Sequence, residues 1–410
     1  MDKKIVLDKF LRYVKCDSTA IDDAGKIPSS ECQRDFANLL KDELLELGVE
    51  DAYVDENSFV FGTINPSEGY EDRPVIGLLA HLDTAPDCIG KGVKPIVHTN
   101  YNGEDLVVNE ELGVIINTEK YPEIKGYVGD DIVTSDGTTL LGADDKGGIA
   151  IIMAVVEKII KDTSIKHGKL KISFTPDEEV SVGGASIFNV EEFGADLALT
   201  VDGDGLGELN FETFNAATCK VKTTGIAIHP AEAKDKMVNA ISLGMEFDSK
   251  LPTKDRPEFT GDREGFYHLE EFAGNVEEAN LEYLLRDFES AGIKEKLQRV
   301  NDVSKEMNEK YGYNCVEVEL KHEYSNMGEL IAAKEGIIEN CVKACELEGV
   351  TPIVKPIRGG TDGSTLAEKG LPCPNIFMGG HNFHSVREFI SVDAMKKSMD
   401  VIIRFLEIMK

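Results

Sequence analysis

Five short segments of this sequence carry histidine or carboxylate side chains that could bind a cation: His81-x-Asp83, Asp144-Asp145, Glu178-Glu179, Asp202 and His384. Two histidines and several carboxylates suit the inner shell of a pair of divalent ions. Such a pair, about 3.5–4 Å apart, needs a bridging ligand, usually a carboxylate. The adjacent residues Glu178 and Glu179 could divide the work, one binding metal and the other taking a proton from water as it attacks a carbonyl.

Each segment also has an ordinary structural explanation, which stays open for single residues. His81 could be a hydrogen-bonded structural histidine, Asp202 could cap a turn, and Asp144 or Glu178 could be solvated acids. The occurrence of all five segments in one chain favours a metal site. His381 lies close to His384 and could be mistaken for the ligand, but the spacing to the following Ser385 and Glu388 favours His384.

The elements that must position these groups are three apolar strands, predicted at 75–80, 170–175 and 197–201, each followed directly by potential ligands. The first strand is apolar on both faces, which is typical of a strand buried in a helix-covered sheet. In open α/β sheets the functional crevice lies beyond the carboxyl ends of the strands. The fold class predicted is therefore α/β, with a mixed, mostly parallel sheet flanked by helices.

The pattern changes after residue 211. Residues 213–325 show the element order β-α-β-β-α-β, which predicts an inserted ferredoxin-like α+β domain. We therefore predict one α/β domain formed by 1–212 and 326–410, with 213–325 inserted into it as a second domain. One long helix is predicted at 327–347.

The composition excludes several classes of partner. With 44 basic and 75 acidic residues the formal net charge is −31, which argues against nucleic acid and anionic membranes. The opening residues do not read as a signal peptide, and no apolar run approaches the roughly 20 residues that span a bilayer. Eight cysteines without CxxC spacing are read as reduced thiols, so we predict a cytoplasmic protein.

Four motifs carry a resemblance to a known family. They are 81–84 (HLDT), 142–147 (GADDKG), 177–179 (DEE) and 382–385 (NFHS). The sequence resembles the co-catalytic zinc exopeptidases related to aminoacylase and succinyl-diaminopimelate desuccinylase, and within them the tripeptide aminopeptidases. The motifs fall in the order of that family and span nearly the whole chain. The resemblance implies that 1–212 and 326–410 form a catalytic zinc-peptidase domain and that 213–325 form a lid and dimerisation domain.

The resemblance implies a role for each residue at the metal site. Asp144 would bridge two zinc ions, with His81 and Asp202 completing the shell of one ion. Glu179 and His384 would complete the shell of the other, and cobalt or manganese could replace zinc. The resemblance also implies a cis peptide bond after Asp144.

Two further residues at the site have implied roles in catalysis. Glu178 would be the general base. Asp83 would hydrogen-bond the far nitrogen of His81 and fix its tautomer.

Substrate contacts are implied for three residues of the inserted domain and its surroundings. Arg286 and Arg358 would bind substrate, because an arginine fork suits a peptide carboxylate. His229 would stabilise the oxyanion in the other subunit's site, which implies a homodimer formed through the inserted domain. Arg286 could instead be a surface residue, Arg358 could bind backbone carbonyls, and His229 could be a local cap.

The function implied is a metallo-aminopeptidase that releases the N-terminal residue of tripeptides by attack of a zinc-bridging hydroxide on the first peptide carbonyl. One alternative is a related amide hydrolase: a dipeptidase, a carboxypeptidase or an N-acyl amino acid deacylase. An alternative of another class is a non-catalytic peptide-binding protein on the same scaffold. An intact Glu178 beside the ligands speaks against that alternative.

Overall fold

The computed structural model describes residues 2–180 and 183–410, and the chain forms two compact units. The first unit comprises Met1–Phe211, Met327–Lys355 and Thr361–Lys410. The second unit comprises Glu212–Asn326 and Pro356–Gly360.

The helices, in chain order, are α1 (Asp2–Tyr13), α2 (Glu31–Leu47), α3 (Ala143–Lys161), α4 (Val190–Phe193), α5 (Ala240–Lys250), α6 (Ser290–Tyr311), α7 (Gly328–Ala332), α8 (Ile337–Leu347), α9 (Asp362–Glu368) and α10 (Val392–Ile408). Of these, α5 and α6 belong to the second unit and the others to the first.

The strands, in chain order, are β1 (Tyr53–Val54), β2 (Val60–Ile64), β3 (Ile76–His81), β4 (Ile96–His98), β5 (Leu106–Asn109), β6 (Val114–Ile116), β7 (Ile132–Thr134), β8 (Leu170–Thr175), β9 (Leu197–Gly203), β10 (Glu208–Asn210), β11 (Asn215–Thr224), β12 (Phe266–Gly274), β13 (Glu278–Asp287), β14 (Val316–Tyr324), β15 (Ile353–Val354), β16 (Asn375–Phe377), β17 (Gly380–His381) and β18 (Phe389–Ser391). Strands β11–β14 belong to the second unit.

The main sheet of the first unit has the strand order β1-β2-β8-β3-β9-β16-β10-β15. Its central strands β8, β3, β9 and β16 are parallel to one another, whereas β2 joins β8 and β10 joins β16 in antiparallel pairs. Every residue of β3 is buried, because the two faces of this strand meet different apolar clusters. Leu78 packs in the cluster that contains α3, whereas Leu79 packs in the cluster around Phe188. The prediction of a mostly parallel, helix-covered sheet is confirmed.

Helix α3 carries the predicted ligand Asp144 in its first turn and is buried along nearly its whole length. It packs against β3, β9, α1 and α10, so apolar residues occupy all sides of it rather than one stripe. Gly148 near its start approaches the sheet closely, since a Cβ there would lie 2.0 Å from the backbone oxygen of Val201. Gly148 is therefore a packing requirement of the α3–β9 contact.

The second unit is a four-stranded antiparallel sheet of order β12-β13-β11-β14 with α5 and α6 packed against it. Its element order is β-α-β-β-α-β, so the predicted ferredoxin-like arrangement is confirmed. The segment Pro356–Gly360 belongs to this unit although it is distant in sequence. The Ile357 N–H donates to the Glu212 carbonyl at 2.9 Å, which explains the assignment.

The single long helix predicted at 327–347 is wrong. Two helices, α7 and α8, occupy that range, and Gly336 between them has a left-handed backbone with φ of 85°. A right-handed helix cannot continue through that conformation, so the apolar spacing on both sides of the glycine belongs to two segments.

The eight cysteines are free thiols. Across residues 2–180 and 183–410, no helix has both the length and the apolar character that crossing a bilayer requires.

Candidate metal centre

Three neighbouring strands deliver ligands to one edge of the main sheet. His81 is the last residue of β3 and pairs with Thr175, the last residue of β8. Glu178 and Glu179 follow β8 after a short turn, and Asp202 lies at the end of β9. Because β3, β8 and β9 run parallel, their carboxyl ends meet at this edge.

The fourth contribution comes from the start of α3. Gly142 precedes the helix with a left-handed backbone, and Asp144 departs from helical geometry with φ of −83° and ψ of 107°. The Asp144–Asp145 peptide bond is cis, as the resemblance implies. The carboxylates of these neighbours have different partners, which are described separately below.

Five side chains converge at this edge, and we call them the ligand cluster: His81, Asp144, Glu179, Asp202 and His384. Nε2 of His81 lies 2.8 Å from Oδ1 of Asp144 and 3.7 Å from Oδ1 of Asp202. Nε2 of His384 lies 3.4 Å from Oδ2 of Asp144 and 2.9 Å from Oε1 of Glu179. Asp144 therefore turns one carboxylate oxygen toward each histidine, which is the arrangement a bridging ligand requires.

Asp83 is fully buried and organises the cluster from behind. Nδ1 of His81 lies 3.1 Å from the backbone oxygen of Asp83 and 3.3 Å from its Oδ1. The Asp83 carboxylate also accepts the backbone N–H groups of Glu178 and Glu179, each at 3.0 Å. With the proton of His81 on Nδ1, the lone pair on Nε2 points toward Asp144 and Asp202 and is free to bind a cation.

Asp145 holds the scaffold. Its Oδ2 accepts the backbone N–H of His81 at 3.1 Å, and its Oδ1 accepts the backbone N–H of Gly148 at 3.0 Å. A ligand-type atom of Asp145 does lie within 4.8 Å of ligand-type atoms of His81 and Asp202. Since both of its oxygens already accept hydrogen bonds, we assign Asp145 to fixing β3 against α3.

Asp177 fixes the turn that carries Glu178 and Glu179. It is buried with a left-handed backbone, φ of 57°. Its carboxylate accepts from the backbone N–H of Ser29 at 2.7 Å and from Nε2 of Gln33 at 2.6 Å. Oε1 of Gln33 accepts the Asp177 N–H at 3.1 Å, so the start of α2 holds this turn in place.

The electrostatics of the cluster show an excess of buried negative charge. Burial, followed by the charge of Asp144, raises the pKa of Glu179 to about 7. Burial also raises the pKa of Asp202 to about 7, with Asp144 adding to the effect. The pKa of Glu178 lies well above its ordinary value because of burial and the nearby charges of Asp202 and Glu179. A divalent cation would offset this repulsion and favour the ionised carboxylates.

An unsatisfied atom supports the fit of metal to these residues. Oε1 of Glu179 is buried, yet among the described residues no donor reaches it with hydrogen-bond geometry, although His384 Nε2 is 2.9 Å away. A buried carboxylate oxygen without a donor is costly unless a cation meets it. The combination of two imidazoles with three carboxylates matches the donor preferences of zinc, cobalt and manganese.

The segment that carries His384 is a tight, self-bonded loop. Asn382 and His384 both have left-handed backbones, each with φ of 58°. The Ser385 hydroxyl donates to the Asn382 carbonyl at 2.7 Å, and the Glu388 N–H donates to the Ser385 carbonyl at 3.2 Å. Residues other than glycine at positive φ persist where the surroundings hold them, and they concentrate at functional sites.

Known proteins with a similar sequence are peptidases, in agreement with the metal-ligand geometry of the cluster. The family model described as Peptidase family M20/M25/M40 matches residues 137–408 of the chain. A protein named Peptidase T from Caldanaerobacter subterraneus subsp. tengcongensis is 46% identical over 403 residues, covering 98% of each sequence. The chain belongs to peptidase family M20/M25/M40. The resemblance inferred from the four motifs is thereby confirmed. As a member of this peptidase family, the protein is a hydrolase.

Solved structures share the fold of this M20 chain. A tripeptidase from Staphylococcus aureus matches with a TM-score of 0.78 at 23% identity, covering 99% of this chain and 98% of that one. A dinuclear metal binding peptidase of family M20 from Bacillus subtilis matches with a TM-score of 0.67 at 13% identity, with the same coverage. At these identities the likeness shows the fold.

The three residues predicted to contact substrate lie in the second unit of this M20 chain. His229 is exposed, and its Nδ1 accepts the backbone N–H of Ala231 at 3.2 Å. Nη1 of Arg286 donates to the carbonyl of Leu285 at 3.0 Å. The guanidinium of Arg358 donates to the carbonyls of Asp262 and Glu264 at 2.7 and 3.0 Å. These contacts lie within the unit, so the substrate roles stay predictions.

Sequence reasoning gave no role to several groups that the structure of this M20 member brings to the site. Asp145 and Asp177 lie inside the motifs but were not distinguished from their neighbours. Asp362 is buried at the start of α9, where it accepts a hydrogen bond from the Thr175 hydroxyl. The glycine-rich turn before Asp362 was the available signal, since it brings the start of a helix to the end of a strand.

Proposed function

We propose that the chain is a dizinc aminopeptidase that removes the N-terminal residue of tripeptides. The observation that carries this proposal is Asp144, whose two carboxylate oxygens face the two histidines separately while Glu178 stands beside the cluster. Membership of the M20 family and the Peptidase T relatives support the choice of reaction.

In the proposed assignment five residues would hold the two ions: His81 and Asp202 at one, Glu179 and His384 at the other, with Asp144 shared between them. When bound, zinc supplies Lewis acidity that polarises a peptide carbonyl and lets water attack near neutral pH. Asp83 keeps the proton of His81 on Nδ1, so that Nε2 presents its lone pair to the site.

Glu178 is the proposed base. Burial and neighbouring charges raise its pKa, which makes its carboxylate a better proton acceptor than an exposed glutamate. Its backbone is fixed by the 3.0 Å hydrogen bond to Oδ1 of Asp83. Glu178 takes the proton of the attacking water and later delivers a proton to the leaving amine.

A peptide series tests the reaction. We expect the zinc-loaded protein to release the N-terminal residue from free tripeptides and to leave the same tripeptides intact when they are N-acetylated, because an aminopeptidase requires the free amine. Dipeptides and tetrapeptides give the length preference, with products identified by mass spectrometry. Cleavage of the blocked peptide, or release of the C-terminal residue, would show a deacylase or a carboxypeptidase instead. Absence of any turnover would support the non-catalytic alternative.

We further propose a homodimer in which each site receives the partner's His229 to stabilise the oxyanion, with Arg286 and Arg358 contacting substrate. The exposure of His229 supports this assignment. The eight free thiols support work in a reducing compartment, which we take to be the cytoplasm.

Subunit mixing should reveal this sharing of residues. We expect His229→Ala and Glu178→Gln each to be nearly inactive alone, and a mixture refolded together to regain activity. In a mixed dimer the site with an intact Glu178 receives an intact His229 from the other subunit. Matched mixtures of each variant with itself are the controls. A mixture that stays at the level of those controls would contradict the exchange of His229.

A further inference from the structure

Glu388 is a buried carboxylate, 1% exposed, that receives three backbone hydrogen bonds from the first residues of α3 and the turn before it. Its Oε2 accepts the N–H groups of Leu141 and Gly142 at 2.7 and 2.8 Å. Its Oε1 accepts the N–H of Asp144 at 3.2 Å. One side chain thus fixes the backbone of the turn that presents Asp144.

The same residue ends the loop that presents His384. Glu388 lies four positions after His384, and its N–H donates to the carbonyl of Ser385. Within that loop Nδ2 of Asn382 donates to the carbonyl of Arg387 at 3.2 Å. The loop is therefore a closed turn, and the Glu388 carboxylate is the point at which it joins the Asp144 turn.

We infer that Glu388 is a positioning residue of the metal centre, which holds Asp144 and His384 at the separation that two metal ions require. Asp144 Oδ2 and His384 Nε2 are 3.4 Å apart, and each side chain has its own rotational freedom. The backbone around Asp144 donates to the Glu388 carboxylate, and the loop that carries His384 ends at Glu388, whose N–H donates to Ser385. Glu388 itself does not touch the reacting atoms.

Chemistry explains why a glutamate is needed at this position. An ionised carboxylate is an acceptor on both oxygens, so it can receive all three N–H groups. A glutamine has one acceptor oxygen and an NH2 group, which cannot accept the N–H of Leu141, Gly142 or Asp144. In Glu388→Gln at least one of the three N–H groups therefore faces another donor and the turn must shift.

The test compares metal binding by Glu388→Gln with that of a matched control. Glu43→Gln serves as the control, because Glu43 is also a buried carboxylate with three donors, among them Lys9 Nζ and Tyr13 Oη, each at 2.6 Å. It lies on α2 and joins α2 to α1. A role limited to stability predicts equal behaviour of the two variants.

Affinity is measured by competition of the folded protein with a chelator for cobalt(II), followed by the visible spectrum of the bound ion. We expect Glu388→Gln to bind about 10–100-fold more weakly, the range found when a residue behind a ligand is removed, and to show an altered spectrum. Glu43→Gln should match the wild type in both. Equal affinity and spectrum in all three proteins would overturn the inference.

A second measurement uses only the wild type, so it tests the inference even if Glu388→Gln folds poorly. In the wild type without metal, the amide hydrogens of Leu141, Gly142 and Asp144 should exchange slowly with solvent. If they exchange as fast as those of the exposed residues Asp22 and Asp23, Glu388 does not hold the turn and the inference fails.

The inference rests on the proposed function only through metal binding, and neither readout depends on which peptide is cleaved. A wild type that binds no cobalt(II) would refute the proposed function. A wild type that binds it as tightly as Glu388→Gln does would refute the positioning role alone.

Discussion

Glu178→Gln should abolish nearly all turnover while leaving the fold and the metal content unchanged. The amide has nearly the shape of the carboxylate, but it cannot accept the proton of the attacking water. General-base catalysis contributes roughly 10²–10⁴-fold, so we expect kcat to fall by about that factor. The Asp83 carboxylate should hold the variant loop as before, because it binds the backbone N–H of residue 178 rather than its side chain.

The measurement is kcat and KM on a free tripeptide, beside metal analysis and a thermal melt. Glu191→Gln is a suitable control, since it changes an exposed glutamate of the first unit that lies on α4. A variant that retains metal and turns over at a rate near that of the wild type would remove Glu178 from the reaction. A variant that loses metal would make Glu178 a ligand instead of the base.

Asp144→Asn should lose metal at both positions, an effect that no other single ligand shares. Its Oδ1 lies 2.8 Å from His81 Nε2 and its Oδ2 lies 3.4 Å from His384 Nε2. An amide offers one oxygen and no charge, so it cannot serve two cations at once. We expect metal affinity to fall by more than the roughly 10–100-fold that loss of an outer residue costs, and turnover to fall with it.

Metal content after dialysis at a fixed free zinc concentration gives the answer, with kcat/KM as the second readout. Asp136→Asn provides the control, because Asp136 precedes the same turn but pairs with Thr138 and Lys94. His81→Ala should differ from Asp144→Asn by losing one ion before the other. Two ions bound to Asp144→Asn with wild-type affinity would exclude the bridge.

The sheet edge on which the site lies could be predicted from the sequence, because a polar residue that directly follows an apolar run marks the end of a strand. His81, Glu178 and Asp202 each follow an apolar run, and parallel strands must bring such positions together. The fold class of both units was predictable for the same reason, since the period of apolar residues changes where the sheet changes. The resemblance then supplied roles that spacing alone left open.

What could not be predicted is the set of side chains that bind backbone. Asp145 and Glu388 accept backbone N–H groups, and a backbone N–H has no signature in the sequence. Asp144 and Asp145 are the same residue type and cannot be distinguished in the sequence. The backbone conformation at the start of α3 directs Asp144 toward the ligand cluster and Asp145 toward Gly148. The left-handed backbone at Gly336 could not be predicted, because the apolar spacing on both sides of that glycine matches a single helix.

All five residues of the ligand cluster belong to the first unit, although two stretches of sequence separated by the second unit supply them. The first unit therefore contains every proposed metal ligand without any contribution from the second unit. If the second unit contacts substrate through His229, Arg286 and Arg358 as proposed, its sequence can vary among family members without a change in the ligand cluster. A chimera that carries the second unit of another family member should therefore retain metal binding and change its peptide preference.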